Sequence, residues 1–167
     1  MIALSTLRQI AIIIFAISII SPYLAYFHII IHAFFKSLIF ICAGIIIHET
    51  SYQDIRIISI NTTNIPITTT ILGLTNAALI GLPFTSGFFS KDIIIEKIIS
   101  SKIECILTLI IISTIGITAS YSIRIIYLSN KFTIKCKSDS NNHSSLYSNI
   151  PILLISPIAI LMGSILL

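Results

Sequence analysis

Apolar stretches follow one another along this chain with few charged residues between them, and this pattern restricts the fold more than any other feature. Three of the stretches run from Ile10 to Ile20, from Ile39 to Ile47 and from Ile106 to Ile112. Only 10% of the residues are charged, whereas a soluble domain has about 25%. Because so few polar side chains cannot cover a surface in water, the pattern predicts an integral membrane protein and excludes a soluble domain.

The predicted fold class is all-α, with about five transmembrane helices, since a helix needs roughly 20 mostly apolar residues to cross the hydrocarbon. The predicted helices cover about 3–20, 24–48, 66–97, 103–128 and 146–167. Gly81 and Pro83 break the third of these helices, because both residues are poorly tolerated inside a helix. Residues 129–145 are rich in Ser, Asn and Lys, a composition that predicts a polar loop.

Three titratable residues form a ladder along the second predicted helix. His28, His32 and Lys36 are spaced at i, i+4 and i+8, so they share one face over about 12 Å of helix axis. An ionisable side chain inside a membrane helix costs about 2.5 kcal/mol or more, which makes it a functional hypothesis by default. Since a neutral imidazole both accepts and gives a proton, the ladder predicts a path for protons.

A second charged group follows the predicted break in the third helix. Lys91 and Asp92 are adjacent, and Glu96 comes one turn later. A helix broken at membrane depth is tolerated inside protein or beside water, and transporters place ion sites at such breaks. The sequence therefore predicts a titrating lysine at position 91, with Asp92 or Glu96 stabilising its charge when it is protonated.

Structural interpretations of the same residues stay open. His28 and His32 are spaced as metal ligands, but no third ligand lies near them in the sequence, which disfavours a metal site. A packing role for either histidine, hydrogen-bonded to a neighbouring helix, is an alternative. The charged residues after the break would alternatively mark the membrane surface. The chain has no glycine-rich phosphate loop and no cysteine cluster, so we expect no redox cofactor within it.

Four motifs carry a resemblance to a known family. They are Ala3-Leu4-Ser5-Thr6-Leu7, the stretch Phe27-His28-x-x-x-His32-Ala33-Phe34-Phe35-Lys36-x-Leu38-x-Phe40-x-Cys42-x-Gly44, Gln53-Asp54-Ile55-Arg56, and Gly81-x-Pro83-Phe84-x-x-Gly87-Phe88-x-Ser90-Lys91-Asp92. In this order and spacing the sequence resembles NADH dehydrogenase (ubiquinone) subunit 5, an antiporter-like, proton-pumping subunit of respiratory complex I. The resemblance extends from Ala3 to Arg124.

The resemblance implies a function and a role for each site residue. His28, His32 and Lys36 match the family's central axis of proton transfer, and Lys91 matches its broken-helix lysine, with Asp92 beside it. Residues 1–128 would then be a portion of the antiporter-like core, from its second half, and residues 146–167 one further helix. The implied location is the mitochondrial inner membrane. The implied partners are lipid and the other membrane-arm subunits, including the neighbouring antiporter-like subunit, with no nucleic acid. NADH, flavin, iron-sulfur clusters and ubiquinone would be used elsewhere in the complex.

The chain also departs from the family. It is much shorter, which predicts either a fragment or a separately encoded piece whose missing helices come from another chain. Arg8 stands where the family commonly has a small polar residue. Two other functions stay open: a subunit of a multisubunit cation/proton antiporter, which shares this core, and a structural piece retained for assembly without a proton pathway of its own.

Overall fold

The protein is described by a computed structural model over residues 2–50, 53–54, 65–100, 105–129 and 146–165. In these ranges it forms six α-helices. They are α1 (Ile2–Ser18), α2 (Pro22–Thr50), α3 (Pro66–Ile80), α4 (Ser86–Ser100), α5 (Cys105–Ser129) and α6 (Leu146–Ile165). The predicted all-α class is confirmed for the described residues. Most of the predicted polar loop and the residues after Asp54 in the third motif lie outside them.

Two helices are long and apolar enough to cross a membrane by themselves, judged over the described part of the chain. They are the stretches Pro22–Glu49 in α2 and Thr108–Ser129 in α5. The apolar stretches Ala3–Ser18, Pro66–Ile80 and Asn149–Gly163 are shorter. The predicted end of the first helix was two residues too late, because Ile20 has a φ of 59° and the chain turns there. Pro22 then begins α2, as suits a residue without a backbone donor.

The long helix α2 lies at the centre of the described bundle and contacts α1, α3, α4 and α6. Its apolar face supplies Ile31, Phe35 and Leu38 to the largest hydrophobic core, where they meet Leu72 of α3 and Ile152 of α6. Two titratable residues of α2, His28 and Lys36, are buried as well. Any helix packed against them therefore has to supply polar partners or leave their polar atoms without hydrogen bonds.

A short turn separates α3 from α4. Gly81 follows α3 with a φ of 92°, a left-handed conformation that glycine adopts without strain. Its N–H donates to the carbonyl of Ala77 at 3.2 Å, and the N–H of Leu82 donates to the same oxygen at 3.2 Å. This C-terminal cap stops α3 cleanly. Pro83 falls in the turn, and α4 starts at Ser86, so five residues separate the two helices.

The start of α4 fits tightly between α3 and α6. A Cβ atom added to Gly87 would lie 1.9 Å from the carbonyl oxygen of Ala78, and one added to Gly163 would lie 2.3 Å from the Cα of Ser86. The Ser86 hydroxyl donates to the carbonyl of Ala159 at 2.5 Å. Close backbone contact on both sides therefore fixes α4, and with it the side chains that α4 turns toward the bundle interior.

Candidate functional site

The ladder of α2 lies inside the bundle. The side chains of His28 and Lys36 are 3% and 6% exposed, and His32 between them is half-buried. The two imidazole rings stack with their centroids 6.3 Å apart and an angle of 26° between their planes. The spacing at i, i+4 and i+8 thus produces the single face that the sequence predicts.

Helix α1 supplies hydrogen-bond partners for this ladder. Lys36 donates through Nζ to the Oγ of Ser5, and Oε1 of Gln9 lies 3.2 Å from Nε2 of His28. Ser5 and Gln9 are buried and spaced at i and i+4 on α1. Sequence reasoning did not assign Gln9 to the site. The signal was present, since two polar residues one turn apart on an apolar helix indicate a face turned toward other polar groups.

Lys91 reaches the same interior from α4. Its side chain is 5% exposed, and Nζ donates to the carbonyl of Leu79 near the end of α3. The last carbonyls of a helix have no partner within it and carry partial negative charge, so an ammonium group is stabilised there. The Lys91 stem passes Gly81, where an added Cβ would lie 3.9 Å from Cδ. The end of α3 therefore creates the binding position for this lysine.

The buried titratable groups are close enough to interact. The charge of Lys91 acts on both His28 and His32, and the charge of Lys36 acts on Lys91. Four of the five predicted site residues, three on α2 and one on α4, are thus brought together. Their role in proton transfer stays a prediction.

Asp92, the fifth predicted site residue, faces outward. Its side chain is exposed and lines an open groove with Glu96 on the outer side of α4, although its charge still acts on Lys91. Ser90 and Lys91 are both buried, and Asp92, about 100° further around the helix, comes to lie on its outer side. That Asp92 stabilises the charge of protonated Lys91 stays a prediction.

Three buried nitrogen atoms near the ladder have no hydrogen-bond partner in the described part of the protein. They are Nε2 of His32, Nε2 of Gln9 and one guanidinium nitrogen of Arg8. Buried polar atoms of this kind are where internal water binds, because leaving them unpaired is costly. The site therefore favours hydration along the face of α2 that carries the histidines.

Arg8 is accommodated by stacking on an aromatic ring. Its guanidinium carbon lies 5.2 Å from the centroid of the Tyr121 ring in α5, within the range of a cation–π interaction. The residue is half-buried, and its charge acts on Lys91. Tyr121 is half-buried and holds α5 to α1 through this contact.

We expect Arg8 and Tyr121 to be energetically coupled. The variants Arg8→Ser and Tyr121→Leu each remove the cation–π contact, so combining them should cost about 1 kcal/mol less than the sum of the single losses. The measurement is resistance of the membrane-embedded chain to denaturing detergent for the two single variants and the double variant. Strictly additive losses would contradict the contact.

Comparison with known proteins matches the chain to one family. A family model described as "NADH:quinone oxidoreductase/Mrp antiporter, TM" matches residues 1–118. The protein named NADH-ubiquinone oxidoreductase chain 5 is 40% identical over 129 residues in Petromyzon marinus, covering 77% of this chain and 22% of that protein. The protein of that name in Ceratotherium simum is 40% identical over 165 residues, which cover 98% of this chain and 27% of that protein. The protein of that name in Lumbricus terrestris is 36% identical over 172 residues, which cover 98% of this chain and 29% of that protein. The chain thus spans about a quarter of the length of these curated relatives.

Proposed function

The chain belongs to the NADH:quinone oxidoreductase/Mrp antiporter transmembrane family, and we propose that it moves protons across the mitochondrial inner membrane as a subunit, or part of one, of NADH:ubiquinone oxidoreductase. One observation supports this most directly: His28, His32, Lys36 and Lys91 converge inside the bundle. Ionisable side chains are rare at such positions and mark proton or ion pathways in membrane proteins.

The proposed topology has five membrane spans, the third of which is built from α3 and α4 together. Each of these helices has 15 residues, about 22 Å at 1.5 Å per residue, which is shorter than the hydrocarbon core of about 30 Å. Joined by the turn at Gly81, the two halves cross the membrane as a broken helix. Lys91 would then lie near mid-membrane, at the point where the helix is interrupted.

Redox chemistry is proposed to take place in other subunits. This chain would bind none of NADH, flavin, iron-sulfur clusters or ubiquinone, and it would respond to quinone reduction through protonation changes along the buried cluster. Its proposed partners are the other membrane-arm subunits, including the neighbouring antiporter-like subunit.

A subunit of a cation/proton antiporter is the second candidate, favoured by the description of the matched family, which names both systems. The relatives described above are all named as NADH-ubiquinone oxidoreductase chain 5. Isolation from membranes distinguishes the two. Co-migration with NADH:ubiquinone oxidoreductase supports the first candidate, and sodium-dependent proton movement without NADH supports the second.

Removing the titrating group of Lys36 should lower the number of protons moved per NADH oxidised. Lys36→Ala deletes the group, and Lys36→Arg keeps a positive charge that is not released near neutral pH. Both variants should therefore interrupt the path. The measurement is the proton-to-electron ratio of the assembled complex in sealed vesicles. An unchanged ratio in both variants would exclude Lys36 from the relay, while recovery in Lys36→Arg alone would show that only its charge is needed.

A further inference from the structure

His28 is held by two other helices at once. Its side chain is 3% exposed, with Nδ1 lying 3.0 Å from Oγ of Ser90 in α4 and Nε2 lying 3.2 Å from Oε1 of Gln9 in α1. Both ring nitrogens are therefore engaged. The imidazole cannot turn without breaking a buried hydrogen bond, so its orientation is fixed.

The chemistry of these two partners differs. The Oε1 atom of Gln9 is a carbonyl oxygen and only accepts, so Nε2 of His28 carries the hydrogen and donates it. In the neutral imidazole Nδ1 is then the acceptor, and the Ser90 hydroxyl donates to it. A hydroxyl is both a donor and an acceptor, and its hydrogen rotates to suit the partner. Ser90 is thus the partner of His28 that fits either protonation state.

A second acceptor for the Ser90 hydroxyl is available. The carbonyl oxygen of Gly87 lies 3.4 Å from Oγ. When Nδ1 of His28 carries a proton, it donates to Oγ and the hydroxyl hydrogen turns to Gly87. When Nδ1 carries no proton, the hydroxyl hydrogen of Ser90 turns back to Nδ1 and donates to it. Both states keep the buried hydroxyl paired, which avoids the cost of an unsatisfied polar group.

We propose that Ser90 links the ladder of α2 to Lys91 by passing protons through its hydroxyl, and that Gln9 positions His28 for this exchange by fixing the tautomer. This inference rests on the proposed function. In the transfer, the Lys91 ammonium gives a proton to an internal water molecule, which gives one of its protons to Oγ of Ser90. The original O–H bond of Ser90 breaks as Nδ1–H of His28 forms. Lys91 ends as the neutral amine, His28 as the cation, and the water and the hydroxyl are regenerated.

The test compares two buried serines of α4. Ser90→Ala removes the proposed link, whereas Ser86→Ala removes a buried hydroxyl of the same helix whose one partner among the described residues is the backbone carbonyl of Ala159. In the assembled complex, Ser90→Ala should lower the proton-to-electron ratio and increase the solvent deuterium isotope effect on coupled NADH oxidation. Ser86→Ala should leave both at the wild-type values. A merely structural role of Ser90 would not change the isotope effect.

Two further variants complete the test. Ser90→Thr keeps the hydroxyl and should recover the ratio, and Ser90→Cys fills the site with a weakly bonding thiol, so it replaces Ser90→Ala if that variant does not assemble. A wild-type ratio and isotope effect in the hydroxyl-free variant would overturn the inference. If Lys36→Ala lowers the ratio and Ser90→Ala does not, only the inference fails. If neither variant lowers the ratio, the proposed function fails together with the inference.

Discussion

Replacing Lys91 should produce the largest loss of proton movement among the single changes considered. A positioned group that transfers protons contributes about 10²-fold or more to the rate of the step, so Lys91→Ala should slow transfer through this chain by about that factor. The variant also leaves the carbonyl of Leu79 without its donor. Lys91→Gln separates the two effects, because its amide still donates a hydrogen bond but has no proton to release near neutral pH.

A matched control for this prediction lies on the same helix. Lys97 is exposed, so Lys97→Ala removes an equal charge from α4 without touching the buried cluster. The measurement is the initial rate of proton movement in vesicles during NADH oxidation. We expect Lys91→Ala and Lys91→Gln to be equally slow and Lys97→Ala to resemble the wild type. A fast Lys91→Gln variant would show that the lysine serves only as a hydrogen-bond donor.

Gly87→Ala should cause the largest loss of stability. The added Cβ would lie 1.9 Å from the backbone oxygen of Ala78 and 3.0 Å from its carbonyl carbon. Backbone atoms cannot rotate away as a side chain does, so α4 has to move off α3, at a cost of about 3 kcal/mol. Because α4 carries Ser90 and Lys91, their contacts with His28 and Leu79 should be lost as well.

The control for this packing prediction is Gly116→Ala in α5. Nothing lies within 4 Å of a Cβ added at Gly116, and the residue is exposed. Alanine favours a helix over glycine by about 1 kcal/mol, so this variant should be at least as stable as the wild type. The amount of chain in membranes and its resistance to denaturing detergent measure both effects. Equal stability of Gly87→Ala and the wild type would contradict the close packing of α4 on α3.

Sequence periodicity was sufficient to place the ladder. His28, His32 and Lys36 lie on one face because residues four apart in a helix must do so, whatever the helix packs against. The positions of Gly81 and Pro83 likewise indicated where α3 would end. These features depend on local backbone geometry, which a short stretch of sequence determines.

Contacts between helices could not be predicted in the same way. Whether Gln9 meets His28 depends on how α1 is rotated against α2, and that rotation is set by the packing of many apolar residues. The bond from Lys91 to Leu79 depends on the tight turn between α3 and α4. The outward direction of Asp92 depends on the rotation of α4 in the bundle, because Ser90, the other neighbour of Lys91, is buried.

Combining Lys36→Ala with Lys91→Ala and measuring the proton-to-electron ratio of the assembled complex tests most directly whether the buried groups act in series. If one path runs through both lysines, the double variant should lose no more than the more severely affected single variant. Losses that add in full would show that the two lysines serve separate routes, and would contradict a single relay through α2 and α4.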